Sequence, residues 1–155
     1  MHLDSFRFLL SADGQHVAYP CRTNPPGAAD EVFMIADGRR YGPYSHVWGV
    51  AWSADGQHIA YAASDGSPRR AWSIYVDGKP APLKYEQLWR PRFDSTGTRI
   101  AWEAQNSKRG VLCLNGNSVY SFDEVLWGPE FSPSANLSWV VRRGQRLTRV
   151  DVAPE

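Results

Sequence analysis

Trp48-Gly49-Val50-Ala51-Trp52-Ser53-Ala54-Asp55-Gly56-Gln57-His58-Ile59-Ala60-Tyr61 reads as a strand, a tight turn and a second strand. Trp48, Val50 and Trp52 alternate with Gly49 and Ala51, the period of a strand rich in aromatic and β-branched residues. Asp55 offers a carboxylate to nearby backbone N–H groups, and Gly56 takes a positive φ at no steric cost. Ile59-Ala60-Tyr61 then resumes an extended apolar run. The pattern predicts an antiparallel hairpin.

The hairpin recurs. Upstream, Phe6 to Leu10 leads into Ser11-Ala12-Asp13-Gly14-Gln15-His16-Val17-Ala18-Tyr19. Downstream, Asp94-Ser95-Thr96-Gly97 precedes Ile100-Ala101-Trp102. A degraded copy, Ser132-Pro133-Ser134-Ala135, precedes Leu137-Ser138-Trp139 once one residue is deleted. Three columns line up across the copies. They hold Phe6, Trp48, Trp89 and Trp127 before the turn; Leu10, Trp52, Phe93 and Phe131 just before it; and Tyr19, Tyr61, Trp102 and Trp139 after it.

The spacers repeat as well. Val32 to Ile35 runs into Asp37-Gly38, Ile74 to Val76 into Asp77-Gly78, and Val111 to Leu114 into Asn115-Gly116. Asp-Gly and Asn-Gly are strong hairpin signals, because a type I′ turn needs positive φ twice. A fourth strand is expected around Tyr41 to Ser45, Ala81 to Tyr85, and Ser118 to Phe122. Four antiparallel strands in about forty residues is the period of a β-propeller blade. The expected fold is therefore all-β, a single propeller domain over residues 1–155. Its blades span about 2–46, 47–87, 88–125 and 126–155, and the last lacks its outer strand, for about fifteen strands in all. Pro91 and Pro129 share a column in the first strand, which fits a sheet edge, where a missing donor is tolerated. Two architectures follow: a four-bladed ring, or half of an eight-bladed ring shared by two chains through their first and last blades. Bare end blades carrying these aromatics would not stay in water, which argues against an open monomer; the shared ring is preferred, because packing four such blades tightly would ask more of the small inner strands.

Formal net charge is +1, from 17 basic and 16 acidic residues. That speaks against nucleic acid or an anionic membrane as partner. No apolar run approaches the ~18–20 residues of a membrane span. Asp4 and Arg7 interrupt any signal-peptide pattern. Cys21 and Cys113 fall in blades on opposite sides of a ring of four, beyond the ~7 Å Cα limit of a disulfide. They are expected to be reduced thiols, which favours a reducing, cytoplasmic setting. The long link from Pro20 to Asp30, with Pro25-Pro26-Gly27, reads as a turn-rich loop.

The run Ser53-Ala54-Asp55-Gly56-Gln57-His58-Ile59-Ala60-Tyr61, continued by Ile74-Tyr75-Val76-Asp77-Gly78, resembles the WD40-like propeller repeat of TolB-type proteins. The resemblance covers nearly the whole chain. It implies the fold, and it implies a protein-interaction module, a scaffold, or a domain beside a hydrolase. The chain departs from it in number, since such rings usually have six to eight blades.

No Gly-x-Ser-x-Gly elbow, phosphate loop or His-Glu-x-x-His motif is present. His16 and His58 fill one repeat column and are expected at the surface, without a metal. Asp13 and Asp55 are expected to form turns. No catalytic residue and no cofactor is expected. The candidate ligand-binding set is the aromatic column Phe6, Trp48, Trp89 and Trp127, with Arg7, Arg90, Arg92 and Glu130 beside it. At a channel mouth these rings would stack on a sugar or hold a cation, and an arginine would take a carboxylate. Packing between blades is the competing account, since burying each tryptophan contributes about 4–6 kcal/mol. Three functions are weighed. The first is a binding or scaffold module for a protein or small ligand. The second is a hydrolase of a sugar or small ester, which would need two of Glu86, Glu103, Glu124 and Glu130 together. The third is a half-ring that works only in an assembly.

Overall fold

Each turn closes on the residues that define it. The Ser11 hydroxyl donates to Asp13, the Gln15 amide donates to Asp13 Oδ1 at 3.0 Å, and the His16 amide donates to Ser11 Oγ at 3.0 Å. Ser53, Asp55, Gln57 and His58 repeat these bonds at 2.6–3.1 Å. In the third copy Asp94 takes the place of serine and accepts from the Thr98 and Arg99 amides. Bonds from the serine hydroxyl, and then from the glutamine amide, hold the Asp13 and Asp55 carboxyls below their ordinary range.

The computed structural model describes residues 8–24, 27, 29–67 and 71–154, and of Arg90 the backbone alone. It is an all-β chain of four antiparallel sheets. The first contains β1 (Leu9–Leu10), β2 (Val17–Thr23), β3 (Glu31–Ala36) and β4 (Arg39–Tyr44). The second contains β5 (His46–Trp52), β6 (Ile59–Ser64), β7 (Trp72–Val76) and β8 (Lys79–Pro80). The third contains β9 (Gln87–Phe93), β10 (Ile100–Asn106), β11 (Arg109–Leu114) and β12 (Asn117–Phe122). The fourth contains β13 (Glu124–Phe131), β14 (Leu137–Arg143) and β15 (Arg146–Val152). Strands pair in chain order within every sheet, and the fourth sheet has three strands. The Asp-Gly and Asn-Gly turns after β3, β7 and β11 have both central φ angles positive, as at Asp37 (46°) and Gly38 (78°).

One expected strand is shorter than its pattern. The regular strand covers Lys79–Pro80 and ends before the expected stretch; from Ala81 to Tyr85 the pairing is the Ala81 amide, donating to the Ile74 carbonyl at 2.7 Å, and a bridge from Tyr85 to Trp72. Pro80 and Pro82 have no N–H to give to a ladder. Pro91 and Pro129 lie on edge strands, as their column suggested. Both also fall in a bulge. Gly49-Val50, Arg90-Pro91 and Gly128-Pro129 each place two residues opposite one, and that one is Tyr61, Trp102 or Trp139. Gly128 has φ +98°, and a Cβ there would meet the Ser138 carbonyl oxygen at 2.7 Å.

Alternation decides how the sheets stack. Tyr61, Trp102 and Trp139 point back to the preceding sheet and are buried. Tyr61 joins Ala18, Met34 and Ala36 of the first sheet. Trp102 joins Ala60, Ala62 and Ile74 of the second, and Trp139 joins Ala101 and Leu112 of the third. Three clusters thus link four sheets in series. The first joint carries a polar pair, Tyr44 and Tyr61, with hydroxyl oxygens 2.9 Å apart; burial pushes both phenols up. In the second joint the Tyr85 hydroxyl meets Cys113 Sγ at 3.2 Å, and burial raises that thiol to about 11. Both cysteines are free. No helix among the described residues is long and apolar enough to cross a membrane.

Trp102→Ala and Trp139→Ala should each lower stability by about 3–5 kcal/mol in urea titrations, the usual loss for a buried tryptophan. Val119→Ala, on an exposed position of β12, should stay within about 0.5 kcal/mol. Small losses at both tryptophans would contradict sheets stacked through this column.

Candidate functional site

The candidate tryptophans sit where the first strand of a sheet faces the sheet that follows. Register pairs Trp48 with Ala62, Trp89 with Glu103 and Trp127 with Val140. Trp48 meets Trp72 edge-on at 6.3 Å, and Trp72 in turn lies 6.1 Å from His46. Trp48, Trp72, Glu86, Gln87, Leu88 and Trp89 line an open cleft of about 260 Å³. A second cleft of about 230 Å³ lies beside it, between the third and fourth sheets. Trp89, Glu103, Gln105, Phe122, Asp123 and Glu124 contribute to its walls. Trp89 therefore borders both. Trp127 stands at the free end of the series, 49% exposed.

The rest of the candidate set is dispersed. Phe6 and Arg7 lie outside the described residues, and only the backbone of Arg90 is described. Arg92 is exposed and pairs with Ala101 on the third sheet; Glu130 is exposed and pairs with Ser138 on the fourth. Trp72 was not foreseen as a site residue, and Glu86 was considered only among the hydrolase glutamates. Trp72 belongs to no repeat column, so aligning the copies passes over it. Glu86 precedes β9 as Asp123 precedes β13, and that correspondence was readable. Both acids anchor a turn of their own sheet. Glu86 Oε2 accepts the Ser107 amide at 2.8 Å, and Asp123 Oδ2 accepts the Gly144 amide at 2.6 Å. Glu124 pairs with Arg142 Nε at 3.0 Å. Of the four glutamates considered for hydrolysis, Glu103 and Glu124 share a cleft, Glu86 borders the neighbouring one, and Glu130 lies apart.

The histidine column has a structural task. His16 Nδ1 lies 2.6 Å from Asp37 Oδ2, and His58 Nδ1 lies 2.8 Å from Asp77 Oδ2. The other oxygen of each aspartate accepts the amide of Val17 or Ile59, at 2.9 and 3.0 Å. In the third sheet Asn115 accepts the Ile100 amide at 2.9 Å. The ring at this position then reaches the next sheet. His16 packs on Trp52 at 5.5 Å, His58 on Phe93 at 6.5 Å, and Arg99 lies over Phe131 at 5.7 Å. These groups latch one sheet to the next. No group of three metal-ligating residues forms among the described residues.

The latch sets a pH dependence. The hydrogen bond to Asp37 raises the His16 imidazole above its ordinary 6.5. The Val17 amide, and then His16, lower the Asp37 carboxyl below its ordinary 3.8. The histidine's stabilising contribution is therefore complete below 6.5 and lost as pH rises through its folded value. The aspartate's is complete above 3.8 and lost as pH falls through its lowered value. An NMR titration should place the His16 midpoint above 6.5, and Asp37→Asn should bring it back down. A midpoint indifferent to that substitution would remove Asp37 as the cause. Compared with known proteins, the chain matches no protein-family model and no curated protein.

Proposed function

We propose that this chain is a β-propeller-type module, of the kind its WD40-like, TolB-type repeat resembles, and that it binds a partner rather than transforming a substrate. Support for the propeller reading comes from the first strands. β1, β5, β9 and β13 each contact the next, while the fourth strands lie on the opposite edges of their sheets. Sheets arranged in this way radiate from a shared inner edge.

The observation that carries the binding reading is the pair of adjacent clefts, each with a tryptophan wall and at least one carboxylate beside it. Indole faces attract a cation, and neighbouring carboxylates add to that attraction. The ligand class is a cationic group, on a protein segment or a small molecule. The aspartates and histidines of the repeat columns are already committed to turns and latches, while the aromatic clefts present open surface to a partner.

Tryptophan fluorescence with a lysine-rich peptide tests this. Quenching should saturate and weaken with added salt. Trp48→Ala and Trp89→Ala should each reduce affinity about 2- to 30-fold, the ~0.5–2 kcal/mol of one cation–π contact. A folded double variant that binds as the parent does would move the site away from the clefts.

The hydrolase reading has one observation in its favour, the shared cleft of Glu103 and Glu124. Glu124 is engaged by Arg142 there. A glycosidase and esterase screen showing turnover that disappears in Glu103→Gln would favour it over binding alone.

A further inference from the structure

The chain makes one kind of joint three times and leaves its two halves bare at the ends. At each internal joint the second-strand aromatic of one sheet is buried on the sheet before it, through Tyr61, Trp102 and Trp139. The fourth member of that column, Tyr19, is 39% exposed. Leu10, paired with Val17 on the same face, is 51% exposed, and its column mates Trp52, Phe93 and Phe131 all pack in the joints. Phe8, just before β1, is 65% exposed. At the opposite end the outward face of the last sheet carries Trp127, opposite Val140, and Leu147, opposite Arg142 and 63% exposed.

We propose that these two faces belong together in a second copy of the chain: the last sheet of one chain packs on the first sheet of the other, head to tail, and two such joints close a ring. The inference rests on the propeller reading. Closed propellers typically have ~4–8 blades. Among the described residues, the four sheets leave both end faces uncovered. Two chains give twice four, within the range, and three chains exceed it.

The chemistry of the faces is complementary. Where the first sheet offers Ala18, Met34 and Ala36 to the following aromatic, the last sheet offers Ser138, Arg149 and Asp151 in the same register. Ser138 Oγ donates to Asp151 Oδ1 at 2.5 Å, and Arg149 Nε donates to the same oxygen at 2.9 Å. The aromatic left over is a tyrosine, not a tryptophan. Tyr61, the other tyrosine of the column, meets a hydroxyl across its joint; Tyr19 meets the Arg149–Asp151 pair. Arg40, lying 3.5 Å over the Phe33 ring, brings positive charge to the first face. On the last face Glu124 and Asp151 are paired with Arg142 and Arg149, and Glu130 adds a negative charge.

Light scattering over a dilution series should give the mass of two 17.4 kDa chains. Leu10→Lys/Tyr19→Lys spoils the first face, and Trp127→Lys/Leu147→Lys spoils the last. All four positions are exposed within one chain, so circular dichroism should show both variants folded. Each variant alone should be one chain, because both joints need both faces. Mixed, they should recover the mass of two chains, since one joint of the pair is then intact. Cys21 lies on the first face, paired with Phe33. Its alkylation should be slow in the parent and fast in either variant alone, while buried Cys113 stays unreactive in all. A parent protein of one chain overturns the proposal and leaves the propeller reading standing. A last-face variant that stays dimeric overturns it in favour of first-face pairing. Mass growing beyond two chains overturns closure. A head-to-tail dimer without a ring in negative-stain images overturns both closure and the propeller reading.

Discussion

Every sheet after the first depends on one contact, the ring at the end of its second strand against the sheet before it. A two-stranded hairpin is marginal in water, and a sheet with one apolar face must cover that face. Tyr61, Trp102 and Trp139 do this in turn, each opposite a two-residue bulge in its own first strand. The bulge strengthens local twist, and it recurs opposite the same ring in every sheet where the first strand is described in full. Bulge, ring and small residues on the preceding sheet form one repeating unit. Because the unit spans two sheets, four sheets contain three complete joints and two incomplete ones.

The polar residues of the repeat serve the same stacking. Aspartate at positive φ closes the turn after β3 and β7, bonds the second strand's first amide, and holds a histidine. That histidine packs on the next sheet's aromatic. In the third sheet the set changes together: asparagine replaces aspartate, and arginine replaces histidine. Arg99 reaches further, donating to the Ala135 carbonyl at 2.7 Å. Side chains that would suggest acid–base or metal chemistry in isolation are thus bound into turns and joints. The aromatic clefts are among the open surfaces the scaffold presents.

Much of this was legible in the residues. Asp-Gly punctuation and period-two alternation gave the fifteen strands and the antiparallel order within each sheet, because both signals act over a few residues. The missing outer strand of the last sheet was legible by count. The short β8 was less so: Pro80 and Pro82 stand inside a stretch that otherwise alternates well. The histidine–aspartate latch was carried by a correlation between columns, His16 with Asp37 and His58 with Asp77, and Arg99 with Asn115 breaks it in both positions at once. The clefts were harder still. Trp48 and Trp89 were foreseen from their column, but Trp72 repeats nowhere, and the meeting of its edge with Trp48 depends on how two sheets are set against each other. Periodicity within a strand does not report that.

The chemistry of the successive joints follows the identity of the ring. The two tryptophans enter faces of alanine with isoleucine or leucine. Tyr61, with a hydroxyl to satisfy, enters a face that supplies Tyr44. A buried hydroxyl without a partner would be costly, so tyrosine in this column demands a polar group opposite. Ser138, Arg149 and Asp151 are such groups, on the outward face of the last sheet, which no described sheet of the chain covers. As a solvent cap, they would protect the last sheet alone. Capping a stack of repeats requires a polar outer face at both ends, and the first sheet presents Leu10 and Tyr19 instead. A polar end and an apolar, tyrosine-bearing end are the two sides of a tyrosine joint.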